Sequence, residues 1–294
     1  MSTRLEAEGP TLWCSRRGTG AFLELMADFK PGATPGATRL RVEFVPVLSD
    51  NYCYVLIDVA SGCAALVDPA EPEKVLGAVK ALGVRVTTVL TTHKHWDHAG
   101  GNAAVAKALP GIEVVGGEID NVEACTKPVK HGESVRVGAL SVRCLLTPGH
   151  TLGHMCYYVQ DDEGEGAIFT GDALFCGGCG RIFEGSAEVM CESLYSQLAS
   201  LPPATKMWCG HEYTEKNFLF AATIEKENPQ LAERIAWVRE QRARGLPTVP
   251  STIAAELATN PFLRCDSPAI QALCECVGSV ERSFAKLRKM KDKF

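Results

Sequence analysis

The sequence lacks three features that would place it in particular classes of protein. It has no apolar run of about 18 residues or more, so it predicts no transmembrane helix. It has no excess of positive charge: the formal net charge is −5, so the protein lacks the positive field that attracts nucleic acids. It shows no secretory signal at its start and no internal repeats. We therefore expect a cytoplasmic globular protein that uses neither a membrane nor a nucleic acid as a partner.

Disulfides are not expected either, although the chain has 13 cysteines. The number is odd and most of them lie in apolar segments, whereas disulfide scaffolds are typical of short secreted chains. We predict buried, reduced thiols. Cys176 and Cys179 form a C-x-x-C pair that could bind metal or act in redox chemistry, with core packing as the alternative. No Cys–His–Asn pattern accompanies them, so a cysteine nucleophile is not predicted.

The chain divides into three regions. Residues 1–40 contain a Pro- and Gly-rich stretch and are predicted to be a flexible extension; mitochondrial or plastid targeting by this segment stays open, although its acidic residues are atypical of transit peptides. Residues 41–211 alternate short strands with helices, which indicates a layered α/β domain. Residues 212–294 predict a helical appendage, because proline-punctuated amphipathic stretches follow one another there.

The strand and helix predictions follow from apolar periodicity. Strands are predicted at 41–47, 53–58, 64–68, 86–92, 112–115, 140–147, 155–159, 167–170 and 206–209. Helices are predicted at 71–82, 187–201, 217–227, 230–244, 252–259 and 280–293.

Three of the seven histidines lie within six residues, directly after the predicted strand 86–92. His93, His95, Asp97 and His98 offer four ligands of the types that zinc and iron accept. Four diverging ligands exceed what one tetrahedral ion needs from one loop, so two adjacent ions are plausible. A solvated polar loop is the alternative, and the spacing makes it the weaker interpretation.

Three further candidate ligands each stand at the end of a predicted strand, after Gly or Pro-Gly: His150, Asp172 and His211. Together with the His-rich loop they predict strand ends that converge on one site. Asp172 is the natural bridge, because a carboxylate can bind two metals. His154 is interpreted as a packing or supporting residue rather than a ligand, and His131 as a solvated turn residue.

The H-x-H-x-D-H loop, followed by His, Asp and His, resembles the metallo-β-lactamase superfamily. Family-level motifs then narrow the resemblance to glyoxalase II, the hydroxyacylglutathione hydrolases, over about residues 41–294; they lie at 47–52, 92–102, 179–185, 209–214, 247–252 and 260–264. The resemblance implies a four-layer αββα metallo-β-lactamase sandwich, here the catalytic domain, with a C-terminal helical substrate-binding domain.

The resemblance also implies how the ligands divide between two metal ions. One ion would be bound by His93, His95 and His150. The other would be bound by the remaining ligands, with Asp172 bridging: Asp97, His98 and His211. The ions are expected to be zinc, with iron or manganese as alternatives.

The reaction that the resemblance implies is hydrolysis of S-(2-hydroxyacyl)glutathione, typically S-D-lactoylglutathione to D-lactate and glutathione in methylglyoxal detoxification. Two close cations would lower the pKa of a shared water, and the resulting bridging hydroxide would attack the thioester carbonyl. Asp97 and Asp172 would be catalytic through that hydroxide. The substrate is a small molecule, and we expect a monomer.

Six residues match the family's substrate contacts: Arg181, Phe183, Tyr213, Asn217, Arg288 and Lys291. Arg288 and Lys291 match the contacts to the glycine carboxylate of glutathione. Arg181 stands where the family usually has lysine, and Phe183 where it often has tyrosine, which removes a hydroxyl donor. Without the resemblance, the basic C-terminal residues would be interpreted as a solvated helix end.

Two alternative functions remain. An iron-dependent persulfide dioxygenase of the same superfamily shares much of the metal loop, but it lacks the long helical C-terminal segment in this form. A non-catalytic scaffold derived from the fold usually loses a metal ligand, whereas all seven expected ligands are present here.

Overall fold

The computed structural model describes residues 39–161, 164 and 166–294. The predicted N-terminal extension 1–40 therefore lies outside the described residues, except for its last two. Within the described ranges, no helix is long and apolar enough to cross a membrane.

Two six-stranded mixed sheets form the α/β part of the chain. The strands are β1 (Leu40–Val47), β2 (Asn51–Asp58), β3 (Cys63–Val67), β4 (Arg85–Leu90), β5 (Glu113–Gly117), β6 (Lys127–Val129), β7 (Ser134–Val137), β8 (Leu140–Leu146), β9 (Met155–Gln160), β10 (Gly166–Gly171), β11 (Leu174–Phe175), β12 (Gly178–Cys179), β13 (Lys206–Cys209) and β14 (Ser251–Thr252). In the first sheet, the order is β1-β2-β3-β4-β5-β6, antiparallel as far as β3 and parallel from there on. In the second sheet, the order is β14-β13-β10-β9-β8-β7, and only β10 and β13 pair in parallel. β11 and β12 pair as a separate short ribbon.

Polar side chains cap the starts of four helices. Ser186, Asn228, Thr252 and Ser279 each accept a hydrogen bond from a backbone N–H three residues on. The helices are α1 (Pro72–Leu82), α2 (Trp96–Ala99), α3 (Asn102–Ala108), α4 (Ala187–Ser193), α5 (Thr214–Ile224), α6 (Pro229–Ala243), α7 (Ile253–Thr259), α8 (Pro268–Leu273) and α9 (Val280–Asp292). A π-helical turn, Leu194–Leu198, continues α4, and a 3₁₀ turn, Pro261–Leu263, follows α7.

The core has two layers because β2 is buried on both faces. Tyr54 and Leu56 point into the space between the sheets, where they join side chains of β8, β9 and β10. Val55 and Ile57 point the other way and pack with side chains of α1 and α3. α4, the π-helical turn that follows it and α9 contribute Met190, Leu194 and Leu287 to the core on the side of the second sheet. The expected helix–sheet–sheet–helix arrangement with a C-terminal helical domain is confirmed.

The ends of four buried strands meet at one edge of the sandwich. β4 leads into the His-rich loop, β8 into the loop of His150, β10 into Asp172 and β13 into His211. A β-bridge between Asn51 and His211 ties the start of β2 to the same edge. Rigid strands therefore deliver the predicted ligands, while the loops beyond them supply the exact orientation.

Candidate metal centre

The seven predicted ligands converge. Three groups of His and Asp side chains have ligand atoms that all lie within 4.8 Å of one another: His93, His95 and His150; His93, His98 and Asp172; and Asp97, His98 and His211. The first and the third are the two groups that the family resemblance implies.

The first group is compact. His95 Nδ1 lies 2.9 Å from His93 Nε2 and 3.0 Å from His150 Nε2. His93 and His150 are buried, and His95 is half-buried. A borderline divalent cation is commonly bound by imidazole nitrogens that face one point, as these three do.

The third group is built around His98 Nε2 and His211 Nε2, which are 3.2 Å apart. Asp97 Oδ2 lies 3.5 Å from the His211 nitrogen and 3.8 Å from the His98 nitrogen. Asn51 Nδ2 donates to both the backbone oxygen and Oδ2 of Asp97, at 3.1 and 3.2 Å, and so fixes the orientation of this carboxylate.

Asp172 lies between the two groups. Its Oδ1 is 3.3 Å from His98 Nε2 and 3.4 Å from His211 Nε2, and its Oδ2 is 3.4 Å from His150 Nε2. Despite this proximity, the buried Oδ1 accepts no hydrogen bond from any described residue. Buried carboxylate oxygens are rarely left without a partner. A cation on each side of Asp172 would satisfy this oxygen, so the residues present fit a pair of bound metals.

Glycine allows Asp172 to approach the His-rich loop. Gly171 has a φ of 45°, and a Cβ there would lie 2.5 Å from Thr92 Oγ1 and 2.9 Å from His154 Nε2. Any side chain at this position would separate β10 from the loop. The glycine that precedes Asp172 is therefore needed for steric reasons, in addition to its position at the end of a strand.

The electrostatics of the metal-free cluster point to the same conclusion. Burial, together with the neighbouring His98, holds the pKa of His93 well below its usual range. Burial would raise the pKa of Asp172, but the charges of His98 and His211 hold it well below its usual range. Burial would lower the pKa of His211, but Asp172 and Asp50 raise it to about 9. Without metal, protons on the imidazoles balance the carboxylates, and bound cations would replace those protons.

Three of the predicted ligand imidazoles are each oriented by a hydrogen bond that their Nδ1–H donates. Asp68 accepts from His98 at 2.9 Å, and Asp50 accepts from His211 at 2.8 Å. The backbone oxygen of Arg181 accepts from His150 at 2.9 Å. Each bond fixes the tautomer that leaves Nε2 free to bind metal.

Sequence reasoning missed Asp50 and Asp68. Asp68 stands directly after buried strand β3, in the same setting as Asp172 after β10, so that signal was available. It is itself anchored: Thr92 donates to it from both its N–H and its hydroxyl, each at 2.7 Å. Asp50 gave no comparable signal, because it lies in a turn far along the chain from His211.

His154 is absent from all three ligand groups. Its Nε2 accepts a hydrogen bond from the backbone N–H of Asp172 at 3.2 Å, and its Nδ1 lies 2.9 Å from Thr147 Oγ1. Its ring also stacks on His93, with centroids 5.1 Å apart. His154 therefore supports two ligands from behind, as a supporting residue would. His131 is exposed, and its Nδ1 accepts the N–H of Leu146 at 3.2 Å.

Comparison with known proteins identifies the family. Residues 48–211 match the metallo-beta-lactamase superfamily, and residues 212–294 match the family described as hydroxyacylglutathione hydrolase C-terminus. The cytoplasmic hydroxyacylglutathione hydrolase of Arabidopsis thaliana is 46% identical over 257 residues, which are 87% of this chain and 99% of that protein. This chain belongs to the hydroxyacylglutathione hydrolase family. The hydroxyacylglutathione hydrolase of Thermosynechococcus vestitus is 45% identical over 84% of this chain and 97% of that protein.

A solved structure agrees on the fold. The crystal structure of ETHE1 from Myxococcus xanthus has a TM-score of 0.61 and 27% sequence identity, over 86% of this chain and 91% of that one. The predicted fold class and family are thus confirmed, and the His/Asp cluster is the family's metal-binding site.

Two aromatic residues that the sequence predicted as substrate contacts lie against predicted metal ligands. Phe183 presents its ring to His150 and His95, with centroids 5.1 and 5.7 Å apart, and is 60% exposed. Tyr213 stacks on His211, with centroids 4.6 Å apart and planes 7° apart. These two rings flank opposite ends of the ligand cluster.

The other four predicted substrate contacts differ in their exposure and in their hydrogen-bond partners. Arg181 is exposed, although its backbone oxygen bonds to His150. Asn217 is buried and donates to the backbone oxygen of Cys176 at 3.1 Å. Lys291 is half-buried and donates to the backbone oxygen of Lys216 at 3.2 Å. The guanidinium of Arg288 contacts backbone oxygens of the loop after β12.

The two cysteines of the C-x-x-C pair have different partners, so they do not form a metal-binding or redox pair. Cys176 Sγ lies 4.0 Å from Cys209 Sγ, while Cys179 Sγ lies 3.7 Å from Arg288 Nη1. No described cysteine forms a disulfide, and all of them are buried except the half-buried Cys125 and Cys276. Ten of the twelve described cysteines are therefore buried, as the sequence predicted.

Proposed function

We propose that this protein is a hydroxyacylglutathione hydrolase, which cleaves S-D-lactoylglutathione to D-lactate and glutathione in methylglyoxal detoxification. The observation that carries the proposal is the complete set of seven ligands in a chain that also has the family's helical C-terminal domain. A scaffold protein that had lost its activity would be expected to lack at least one of these ligands.

The proposed cofactors are two divalent ions, zinc in the first place, with iron or manganese as alternatives. When bound, such a pair lowers the pKa of water toward neutrality and polarises a carbonyl oxygen, which is the chemistry that thioester hydrolysis needs. The residues proposed to hold the ions are His93, His95 and His150 on one side, Asp97, His98 and His211 on the other, with Asp172 between them.

The protein's own groups supply orientation. The carboxylates of Asp172 and Asp97 would help to hold the two ions, and Asn51 holds Asp97 in place through two hydrogen bonds. The leaving thiolate is a weaker base than an alkoxide, so the site needs no strong general acid.

The substrate contacts are proposed as two sets. Phe183 and Tyr213, which lie against the ligands, would flank the acyl group and the thioester. The two carboxylates of the glutathione moiety call for cations and hydrogen-bond donors. The residues proposed to contact this moiety are Arg181, Asn217, Arg288 and Lys291. Phe183 has no hydroxyl group, so it contributes shape and exclusion of water rather than a hydrogen bond.

We propose that the protein is located in the cytoplasm and that it is a monomer. The many reduced thiols support a reducing compartment. Mitochondrial or plastid targeting by residues 1–40 stays the alternative, and residues 1–38 lie outside the described residues.

The experiment is metal analysis of the purified protein, paired with assays on two substrates. Two ions per chain and hydrolysis of D-lactoylglutathione are expected. One iron per chain with oxygen uptake on glutathione persulfide would instead identify a persulfide dioxygenase. Full metal loading without turnover of several glutathione thioesters would identify a scaffold. Asp266→Ala, which changes an exposed carboxylate outside the ligand groups, is the matched control for Asp172→Ala.

A further inference from the structure

His95, in the first ligand group, has no hydrogen bond on its second ring nitrogen within the part of the chain that the structure describes. Its Nδ1 faces the Nε2 atoms of His93 and His150, and its own Nε2 has no partner there. The ring contacts Phe183, but this contact is not a hydrogen bond. The position of His95 therefore depends on the main chain of the His-rich loop and on how that loop is held against the loop of His150.

Asp120 lies between these two loops, in the turn after β5, and is 1% exposed. Its Oδ2 accepts from the backbone N–H of Lys94 at 2.8 Å and from the hydroxyl of Thr151 at 3.0 Å. Its Oδ1 accepts from the backbone N–H of Gly153 at 3.1 Å. One buried carboxylate therefore joins the middle of the His-rich loop to the loop after β8.

The main chain around Asp120 leaves no room for a side chain on either side. A Cβ on Gly153 would lie 2.6 Å from the backbone nitrogen of Asp120 and 2.6 Å from its Cβ. A Cβ on Gly117 would lie 2.1 Å from the backbone oxygen of Gly153. Because β5 belongs to the first sheet and β8 to the second, this close contact joins the two sheets at the edge where the ligands meet.

Two other contacts join the same loops, but neither replaces the buried carboxylate. The backbone N–H of Met155 donates to the oxygen of Thr92 at 2.8 Å, at the start of the His-rich loop. Glu184 pairs with Lys94 Nζ at 2.5 Å and accepts from the N–H of Leu152 at 3.0 Å. The side chains of this ion pair are 35% and 30% exposed, and exposed ion pairs contribute little to stability.

We propose that Asp120 is a positioning residue for the metal centre, which fixes the distance between His95 and His150 and so sets the affinity for the ion that the first group binds. The inference rests on the proposed function only in assuming that two ions occupy the cluster. The carboxylate accepts from backbone N–H groups on two loops. An amide in its place can accept on one side only, because its NH₂ group would face the donor on the other side. A buried N–H group would then lack its acceptor.

The test measures metal affinity by competition with a chelator, independently of hydrolysis. Asp120→Asn should weaken the ion of the first group by about tenfold, the lower end of the range for residues that support ligands, because it acts through the main chain. Thr151→Val removes one of the three hydrogen bonds and should weaken the same ion by about 2- to 5-fold. Glu118→Gln changes an exposed carboxylate on the same turn and should match wild type.

Double variants assign the effect to one of the two ions. In a His95→Ala background the ion of the first group is already weakly bound, so Asp120→Asn should not change the affinity for the other ion. In an Asp68→Asn background, which weakens the ion bound through His98, the two losses fall on different ions and should add. In excess metal, Asp120→Asn should regain most of its kcat with a KM close to that of wild type.

Wild-type affinity for both ions in Asp120→Asn would overturn the proposal. Equal weakening of both ions, or a further loss in the His95→Ala background, would also overturn it, since either result identifies a general loss of structure. If Asp120→Asn does not fold, Thr151→Val carries the test, and wild-type affinity in that variant would refute the role. Failure of the proposed function would look different: wild-type protein would bind two ions without hydrolysing glutathione thioesters, while the effect of Asp120 on affinity would persist.

Discussion

The charge of Lys291 gives a pH-dependent prediction for substrate binding. Its ammonium group donates to the backbone oxygen of Lys216 and lies over the rings of Phe220 and Phe294, 5.2 and 5.3 Å from their centroids. Burial, reinforced by the positive charge of Arg288, lowers the pKa of Lys291 to about 8. The group is therefore charged below that pH and neutral above it, so its attraction for a substrate carboxylate is lost as the pH rises through about 8.

The size of the effect follows from the kind of contact. A hydrogen bond to a charged group contributes about 1.5–3 kcal/mol, which corresponds to about 10- to 150-fold in an equilibrium constant. Because Lys291 is only half-buried, solvent screening favours the lower end. We expect KM to rise by about tenfold across the transition and then to level off.

The assay measures KM for D-lactoylglutathione at pH values on both sides of 8, after subtraction of the spontaneous hydrolysis. Lys291→Arg remains charged throughout, so its KM should not show the rise. Lys291→Met should show the high KM at every pH. A wild-type KM that does not change across this range, or an unchanged KM in Lys291→Met, would refute the reasoning and return the basic helix end to a solvated surface.

Three further predictions concern the surroundings of the metals. Asp68→Asn replaces a carboxylate that accepts from Thr92 and His98, so metal affinity should fall by about 10- to 100-fold while Asp266→Asn leaves it unchanged; equal affinities would contradict this. His154→Gln can still accept from the Asp172 N–H and should retain both metals, whereas His154→Phe leaves that group unpaired and should lose about 1–3 kcal/mol in the free energy of unfolding, together with metal; identical behaviour of the two variants would disprove the role. Phe183→Tyr adds a hydroxyl donor at the mouth of the site and should lower KM by about 2- to 10-fold with little change in kcat, and an unchanged KM would argue against contact with substrate.

Much of the site could be predicted from the sequence because its ligands follow a local rule. His150, Asp172 and His211 each come at or just after the end of an apolar strand, and the His-rich loop follows β4 in the same way. Strand ends at one edge of a sandwich must lie close together. The helices 71–82, 230–244, 252–259 and 280–293 also fall within one residue of their observed ends, since proline, capping residues and apolar periodicity mark them.

The supporting residues could not be predicted with the same ease, because they depend on contacts between distant segments. Asp50 orients His211 across 161 positions, and the carbonyl of Arg181 orients His150 across 31. The C-x-x-C spacing suggested a pair, but the fold brings Cys176 to Cys209 instead. These outcomes depend on sheet order and register, which local periodicity does not contain.

Two predicted helices differ from the structure in their local geometry. The predicted helix 187–201 is regular only as far as Ser193 and then widens into the π-helical turn Leu194–Leu198, where the N–H of Ala199 bonds to the oxygen of Leu194. The predicted helix 217–227 is Thr214–Ile224 in the structure, so it begins three residues after His211 and places Asn217 in its first turn. A one-turn shift of this kind leaves the apolar periodicity nearly unchanged, which is why the sequence pattern did not detect it.

The most direct test of the central claim is the number of metal ions per chain in wild-type protein and in Asp172→Ala, measured on purified samples by elemental analysis. If Asp172 bridges two ions, the wild type should contain two and the variant should contain fewer, with turnover abolished. Two ions retained by Asp172→Ala with normal activity, or a single ion in the fully loaded wild type, would contradict the account.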